Sequence, residues 1–213
     1  MTHQALIQAL CDDLTPVRTT SFEQHLVRGA TIGGVASLAI MLLSLGLQSG
    51  LASLSAIIPL LLKLGSTLAV AGIALKTIRS LARPGRTIPP LLAPLGLVAL
   101  ALAAIALGQL SAQPLQDSAA LWLGASWQSC SLRIAGLSLP ISVGIGWALR
   151  QQAPVDLTRA GAVCGLAAGS IAAAIYALAC SEASAGFVLL WYSLGIGAAS
   201  AIGALAGPRL LRW

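Results

Sequence analysis

The chain has 213 residues and a formal net charge of +6, with 57% hydrophobic and only 8% charged residues. A soluble domain carries about a quarter charged residues. A mean hydropathy of +0.90 therefore excludes an ordinary soluble fold and points to lipid as the solvent. The 22 glycines agree, because membrane helices pack through small residues. The positive charge does not read as a nucleic-acid footprint. The basic residues lie between apolar runs instead of clustering on one face, so no direct nucleic-acid contact is expected.

In chain order, residues 1–28 are the only sizeable water-soluble piece. Thr2 is placed to cap a helix that runs to about Leu14, with Pro16 just beyond it. Leu6, Ile7, Leu10, Cys11 and Leu14 fall at helical spacing and make one apolar stripe, flanked by Asp12 and Asp13. A helix this short is marginal in water and needs a surface to lie on. That surface is the membrane, the chain's own loops or a partner's groove. Ser21 with Gln24 has the pattern of a capping box opening the next helix.

Six apolar runs follow: about Gly29–Leu47, Pro59–Ile78, Ile88–Leu110, Leu132–Leu149, Ala160–Ala179 and Phe187–Ala206. Each is near the ~20 residues that cross a hydrocarbon core, the fourth being the shortest. The first does not read as a cleaved signal sequence: its flank carries Asp12, Asp13 and Glu23, and five more runs follow. The expected fold is all-α, a six-helix membrane domain over 29–207 with a short tail at 208–213. Of the twelve Lys and Arg residues, all but Lys63 and Arg133 fall on one side if the helices alternate. The positive-inside rule then puts both termini in the cytoplasm. Lys63 is expected to snorkel outward from the other end of its span.

Small residues suggest one close pairing. Gly161, Gly165, Gly169, Ala173 and Ala177 recur every fourth residue along the fifth run, as do Gly195, Ala199, Gly203 and Gly207 along the sixth. Two such faces allow close backbone approach, so these spans are expected to form a tight hairpin.

The four cysteines sort by depth. Cys11 lies in the cytoplasmic segment and Cys164 within the fifth run. Cys130 and Cys180 both fall at the outer boundary, just before the fourth run and at the end of the fifth. Two thiols at one depth on neighbouring helices can form a disulfide, bind a soft metal ion or be modified by oxidants. They can also be two unrelated apolar residues. Both are expected to be reachable by a membrane-impermeant thiol reagent, and Cys11 not; if they face each other, mild oxidant should protect both together, and Glu182 is a weak candidate for a third metal ligand. The chain has no CxxC, no HExxH and no glycine-rich phosphate loop, and no cofactor is expected. All six acidic residues lie outside the runs or at their ends, which disfavours an ion-coupled carrier.

The stretch Cys180-Ser-Glu-Ala-Ser-Ala-Gly-Phe-Val-Leu-Leu-Trp-Tyr-Ser-Leu-Gly-Ile resembles the Cys–Pro–Glu…Phe…Trp–Tyr…Gly signature of the NrsF family. Leu14-Thr15-Pro16-Val17-Arg18, Lys63, Ala82-Arg83-Pro84-Gly85 and Trp127-Gln128-Ser129-Cys130 extend the likeness over nearly the whole chain. Ser181 departs from the family's usual proline. The resemblance implies a non-enzymatic, multi-pass protein of the bacterial inner membrane, an anti-sigma factor for an extracytoplasmic-function sigma factor of the sigma F type. It implies that Cys130 and Cys180 sense heavy metal or oxidative stress, and it makes the sigma factor the expected partner of Leu6, Ile7, Leu10 and Leu14. A thiol-linked membrane oxidoreductase and a small transporter are the alternative readings. The first lacks an evident redox relay and the second an ionisable group at mid-membrane.

Overall fold

The computed structural model describes residues 3–12, 20–48, 54–82, 90–111, 122–124, 126–152 and 154–212. Over these the chain is helical. An N-terminal helix α1 (His3–Asp12) precedes α2 (Thr20–Ser44), α3 (Leu54–Leu81), α4 (Leu92–Ser111), α5 (Trp127–Arg150) and α6 (Leu157–Tyr176). The last helix, α7 (Ala185–Leu210), contains a π-helical turn at Val188–Tyr192. Helices α2 to α7 supply six stretches long and apolar enough to cross a membrane, as the hydropathy runs predict.

Two boundaries move. The fourth span starts at Trp127, five residues before the expected Leu132. Its first turn, Trp127-Gln-Ser-Cys, is too polar to score as membrane, yet nothing in it breaks a helix. Helix α2, already helical at Thr20, runs on through residue 28 into the first apolar run, and its stretch long and apolar enough to cross a membrane begins at Phe22. Ser21 therefore lies within the helix instead of capping it. Thr2, Leu14 and Pro16 lie outside the described residues.

The exposed side chains explain the composition. Large apolar residues such as Ile32, Val35, Leu43, Leu97 and Leu205 face outward from the bundle, which only a hydrocarbon solvent tolerates in such number. The interior is built from small residues. Helix α6 is the most enclosed element and packs against α3, α5 and α7. Its contact with α7 is the expected hairpin. A Cβ on Gly161 would run into the Gly203 carbonyl, and one on Gly165 into the Ala199 carbonyl. Gly195, however, faces Ile134 of α5, so the α7 stripe serves two neighbours. Overpacking a tight contact typically costs about 1–3 kcal/mol, and here the obstacle is backbone that cannot turn aside. Gly165→Leu is accordingly expected to lower the unfolding midpoint in detergent, whereas Gly197→Leu, with nothing near its Cβ position, should leave it nearly unchanged.

A second close contact joins α2 to α5. Phe22, Leu26, Gly29, Gly33, Ser37 and Met41 form one buried stripe on α2. Cβ atoms on Gly29 and Gly144 would each collide with the other residue's carbonyl, and the Ser37 hydroxyl donates to the Leu137 carbonyl at 2.7 Å. Membrane helices use such small-residue and hydroxyl contacts where apolar burial gives no preference for protein over lipid. Helix α4 is the most peripheral span and touches α3 and the start of α7.

Candidate functional site

Because the helices alternate, α6 ends where α5 and α7 begin. The last turn of α6 unwinds through Tyr176–Ala179, and Cys180 follows it. Cys130 sits in the first turn of α5. The two cysteines, fifty positions apart in sequence, are thus brought to one end of the bundle. Both are buried, Cys130 at 0% and Cys180 at 3% exposure. They lie within electrostatic reach of each other, and both neighbour Lys63, Tyr176 and Tyr192. All four cysteines are free thiols.

The aromatic residues of the recognised stretch form the walls. Tyr192 packs against Tyr176 with ring centroids 6.0 Å apart and against Phe187 at 6.5 Å, edge to face. Phe187, Tyr176 and Tyr192 are each at most 2% exposed. Tyr192 lies in the π-turn at Val188–Tyr192, and Ser131 of α5 donates to the Trp191 carbonyl within it at 2.9 Å. A π-turn inserted in an α-helix is a costly local geometry often kept at functional sites. The buried Tyr192 hydroxyl neighbours Cys180.

A short segment closes this end. Gly124 adopts φ +60°, and a Cβ there would meet the Phe187 ring at 2.6 Å and the Glu182 carboxyl carbon at 2.9 Å. The Trp191 indole donates to the Trp122 carbonyl at 2.9 Å, and the Trp122 ring lies over Gly186. Gln109 of α4 accepts from the Ala185 amide at 2.8 Å. Glu182 accepts from the Ser126 amide at 3.3 Å. Its carboxylate thus sits at the N-terminus of α5, where a negative charge is favoured.

Several expectations change here. The two thiols are not open to bulky reagents, because both cysteines are buried. Among the described residues no three His, Cys, Asp or Glu side chains converge on a metal-binding point, so Glu182 holds the start of α5 and does not complete a three-ligand set. Lys63 does not snorkel. It is 2% exposed, and its Nζ donates to the Cys180 carbonyl at 2.6 Å. Sequence reading missed it because hydropathy scores depth and not direction: a Lys near a helix end can reach inward as well as out. The useful signal was its position on α3 at the level of both cysteines. Cys164 is buried as expected, with its thiol 3.6 Å from the Ser142 carbonyl.

In chain order before α2, α1 carries three of the four expected partner residues, Leu6, Ile7 and Leu10. Ile7 is 59% exposed, with Gln4, Gln8, Cys11 and Asp12 also exposed. Leu6 and Leu10 fall within α1, but their side chains, like all of Leu14, lie outside the described residues. Near the root of this segment Arg79 of α3 pairs with Glu23 of α2 at 3.0 Å.

Residues 10–213 match the family described as "Negative regulator of sigma F". The chain is 34% identical to a probable anti-sigma-F factor NrsF of Azospira oryzae over the full length of both. It is 48% identical to the anti-sigma-F factor NrsF of Caulobacter vibrioides over 91 residues, 42% of each chain. No solved structure matches it. A match over nearly all of the chain, with a relative alike from end to end, places this six-helix protein in the NrsF family of negative regulators of sigma F.

Proposed function

We propose that this chain is an anti-sigma factor of the bacterial inner membrane that holds an extracytoplasmic-function sigma factor at the cytoplasmic face through α1. It lets the factor go when Cys130 and Cys180, at the periplasmic end, take up a heavy-metal ion or are oxidised. The observation that carries this reading is the burial of both cysteines at one end of the bundle, within electrostatic reach of each other and of Tyr176 and Tyr192. Burial keeps the thiols from bulky and casual reactants. A soft metal ion or a small oxidant is the kind of species that can enter, and two thiols at one depth are what it would find. Metal uptake would release the thiol protons, so binding weakens as pH falls.

The exposed Ile7 on a ten-residue helix supports the other half of the reading. A helix of this length gains stability by laying its apolar stripe into a groove. A sigma factor held there is withheld from polymerase. Lowering its occupancy a hundredfold requires the signal to supply about 2.7 kcal/mol of differential stability, within the range of one disulfide or one metal site.

Both halves require the Arg79 end to face the cytoplasm and the Cys180 end the periplasm. Reporter fusions after Arg159 and Arg212 should read cytoplasmic, and one near Ser184 periplasmic. The reverse pattern would put the thiols in the reducing compartment and overturn the sensing mechanism.

A further inference from the structure

Lys63 is the one strongly basic side chain buried at the cysteine end among the described residues. A buried ammonium persists only while acceptors and opposite charge compensate its lost hydration. Its acceptor is the Cys180 main-chain carbonyl, 2.6 Å away, at the turn that ends α6. The carbonyls at a helix C-terminus lack intrahelical partners and favour a cation. Lys63 therefore senses where the backbone of Cys180 stands, in addition to any effect on the thiol.

Helix α3 is unbroken from Lys63 to Arg79, and sixteen residues at 1.5 Å each make a rod of about 24 Å. At its far end the Arg79 Nε donates to Glu23 at 3.0 Å. Glu23 lies in the first turn of α2, just after the segment that leads from α1. The main packing partner of α3 is α6, whereas that of α2 is α5. The Arg79–Glu23 pair thus ties together two helices whose main packing partners differ, although α2 also touches α6.

We propose that Lys63 is the positioning residue that passes a change at the Cys180 turn along α3 to the Arg79–Glu23 pair at the root of the N-terminal segment. This rests on reading Cys130 and Cys180 as the signal site and α1 as the partner-holding element. When the Cys180 turn rearranges, the ammonium loses its acceptor. The α3 interface then shifts to a second packing that hydrates the ammonium, by the about 1–2 Å usual for helix movements at interfaces. Hydrogen bonds weaken steeply with misalignment, so Arg79 releases Glu23 and α2 no longer fixes the lead from α1.

One test needs neither the cysteines nor a sigma factor. In full-length protein with Cys11, Cys130, Cys164 and Cys180 replaced by Ala, spin labels are placed through new cysteines at Gln24 and Ser80, and their separation is measured by pulsed electron resonance in nanodiscs. Lys63→Met is expected to displace and broaden the distance distribution, and Lys63→Arg to keep the parent's narrow one. Superimposable distributions for Lys63 and Met overturn the coupling. If Met is not accommodated, Lys63→Gln replaces it with the same two readings. In the native-cysteine chain, Lys63→Met and Glu23→Gln should each raise sigma-dependent transcription without any signal by about tenfold, and the double variant no further. Multiplicative effects would make the two sites independent and overturn the proposal. If the parent captures no sigma factor while the label distances still respond, the functional reading fails and the α3 coupling stands. If the parent captures it and the distances do not respond, the coupling alone falls.

Discussion

Ile7→Asp is expected to weaken sigma-factor binding at least about a hundredfold, on the order of 2.7 kcal/mol. Burying one large aliphatic side chain in a groove contributes roughly 1.5–3 kcal/mol, and the aspartate would in addition bring an unpaired charge into the contact. The bundle should be unaffected. Ile7 is exposed on α1 and is not part of the buried core among the described residues, and surface changes of this kind usually cost little stability. In cells the variant should accumulate in the membrane at the parent's level while sigma-dependent transcription runs without stress. A contrasting outcome separates partner binding from lipid binding. If α1 only lies on the bilayer, the aspartate loosens it from lipid and the sigma factor stays sequestered. A variant that is present at the normal level and still represses fully would remove α1 as the holding element. The basic stretch of sequence from Lys76 to Arg86 would be the next region to test.

Much of this architecture was legible in the sequence, and the reasons are specific. Six spans follow from hydropathy because lipid imposes one length and one composition on every crossing. The α6–α7 contact follows from glycine spacing because a repeat of four puts every small residue on one helix face. The α2–α5 contact was not legible. Gly29, Gly33 and Gly144 make it, but the partner of Gly29 and Gly33 lies more than a hundred residues away and carries a single glycine at the crossing, so no paired repeat announces it. The meeting of Cys130 and Cys180 followed from topology, since alternation alone puts both at one depth. Their burial did not follow. It goes with the π-turn that carries Tyr192 and with Gly124, whose positive φ brings it against Phe187. Neither has a periodic signal. Lys63 was misread for a related reason: a one-dimensional depth scale carries no information about which way a side chain turns.

Replacing Cys130 and Cys180 together by Ala is expected to leave the sigma factor bound and to abolish its release by soft metal. The alanines remove two small side chains from a site whose walls are large aromatics, so a modest stability loss, about 1–2 kcal/mol, is expected from the cavities. The helix contacts at the Arg79 end lie across the bundle and stay intact. Single replacements should be nearly as deaf to metal as the double. One thiol binds a soft ion far less tightly than two, and among the described residues no third ligand converges to compensate. Cys164→Ala is the control. That thiol is buried elsewhere in α6, against the Ser142 carbonyl, and its removal should leave the response unchanged.

The most direct measurement is titration of the intact complex. The full-length chain is tagged, captured from detergent-solubilised membranes with whatever sigma factor it holds, and exposed to rising cadmium ion while free and bound sigma factor are quantified by mass spectrometry. The account predicts that a sigma factor co-purifies with the parent, is released at about one metal ion per chain, and stays bound to the Cys130→Ala/Cys180→Ala variant at the same metal concentration. Parent protein that carries no sigma factor, or that releases it identically with and without the two cysteines, would contradict it.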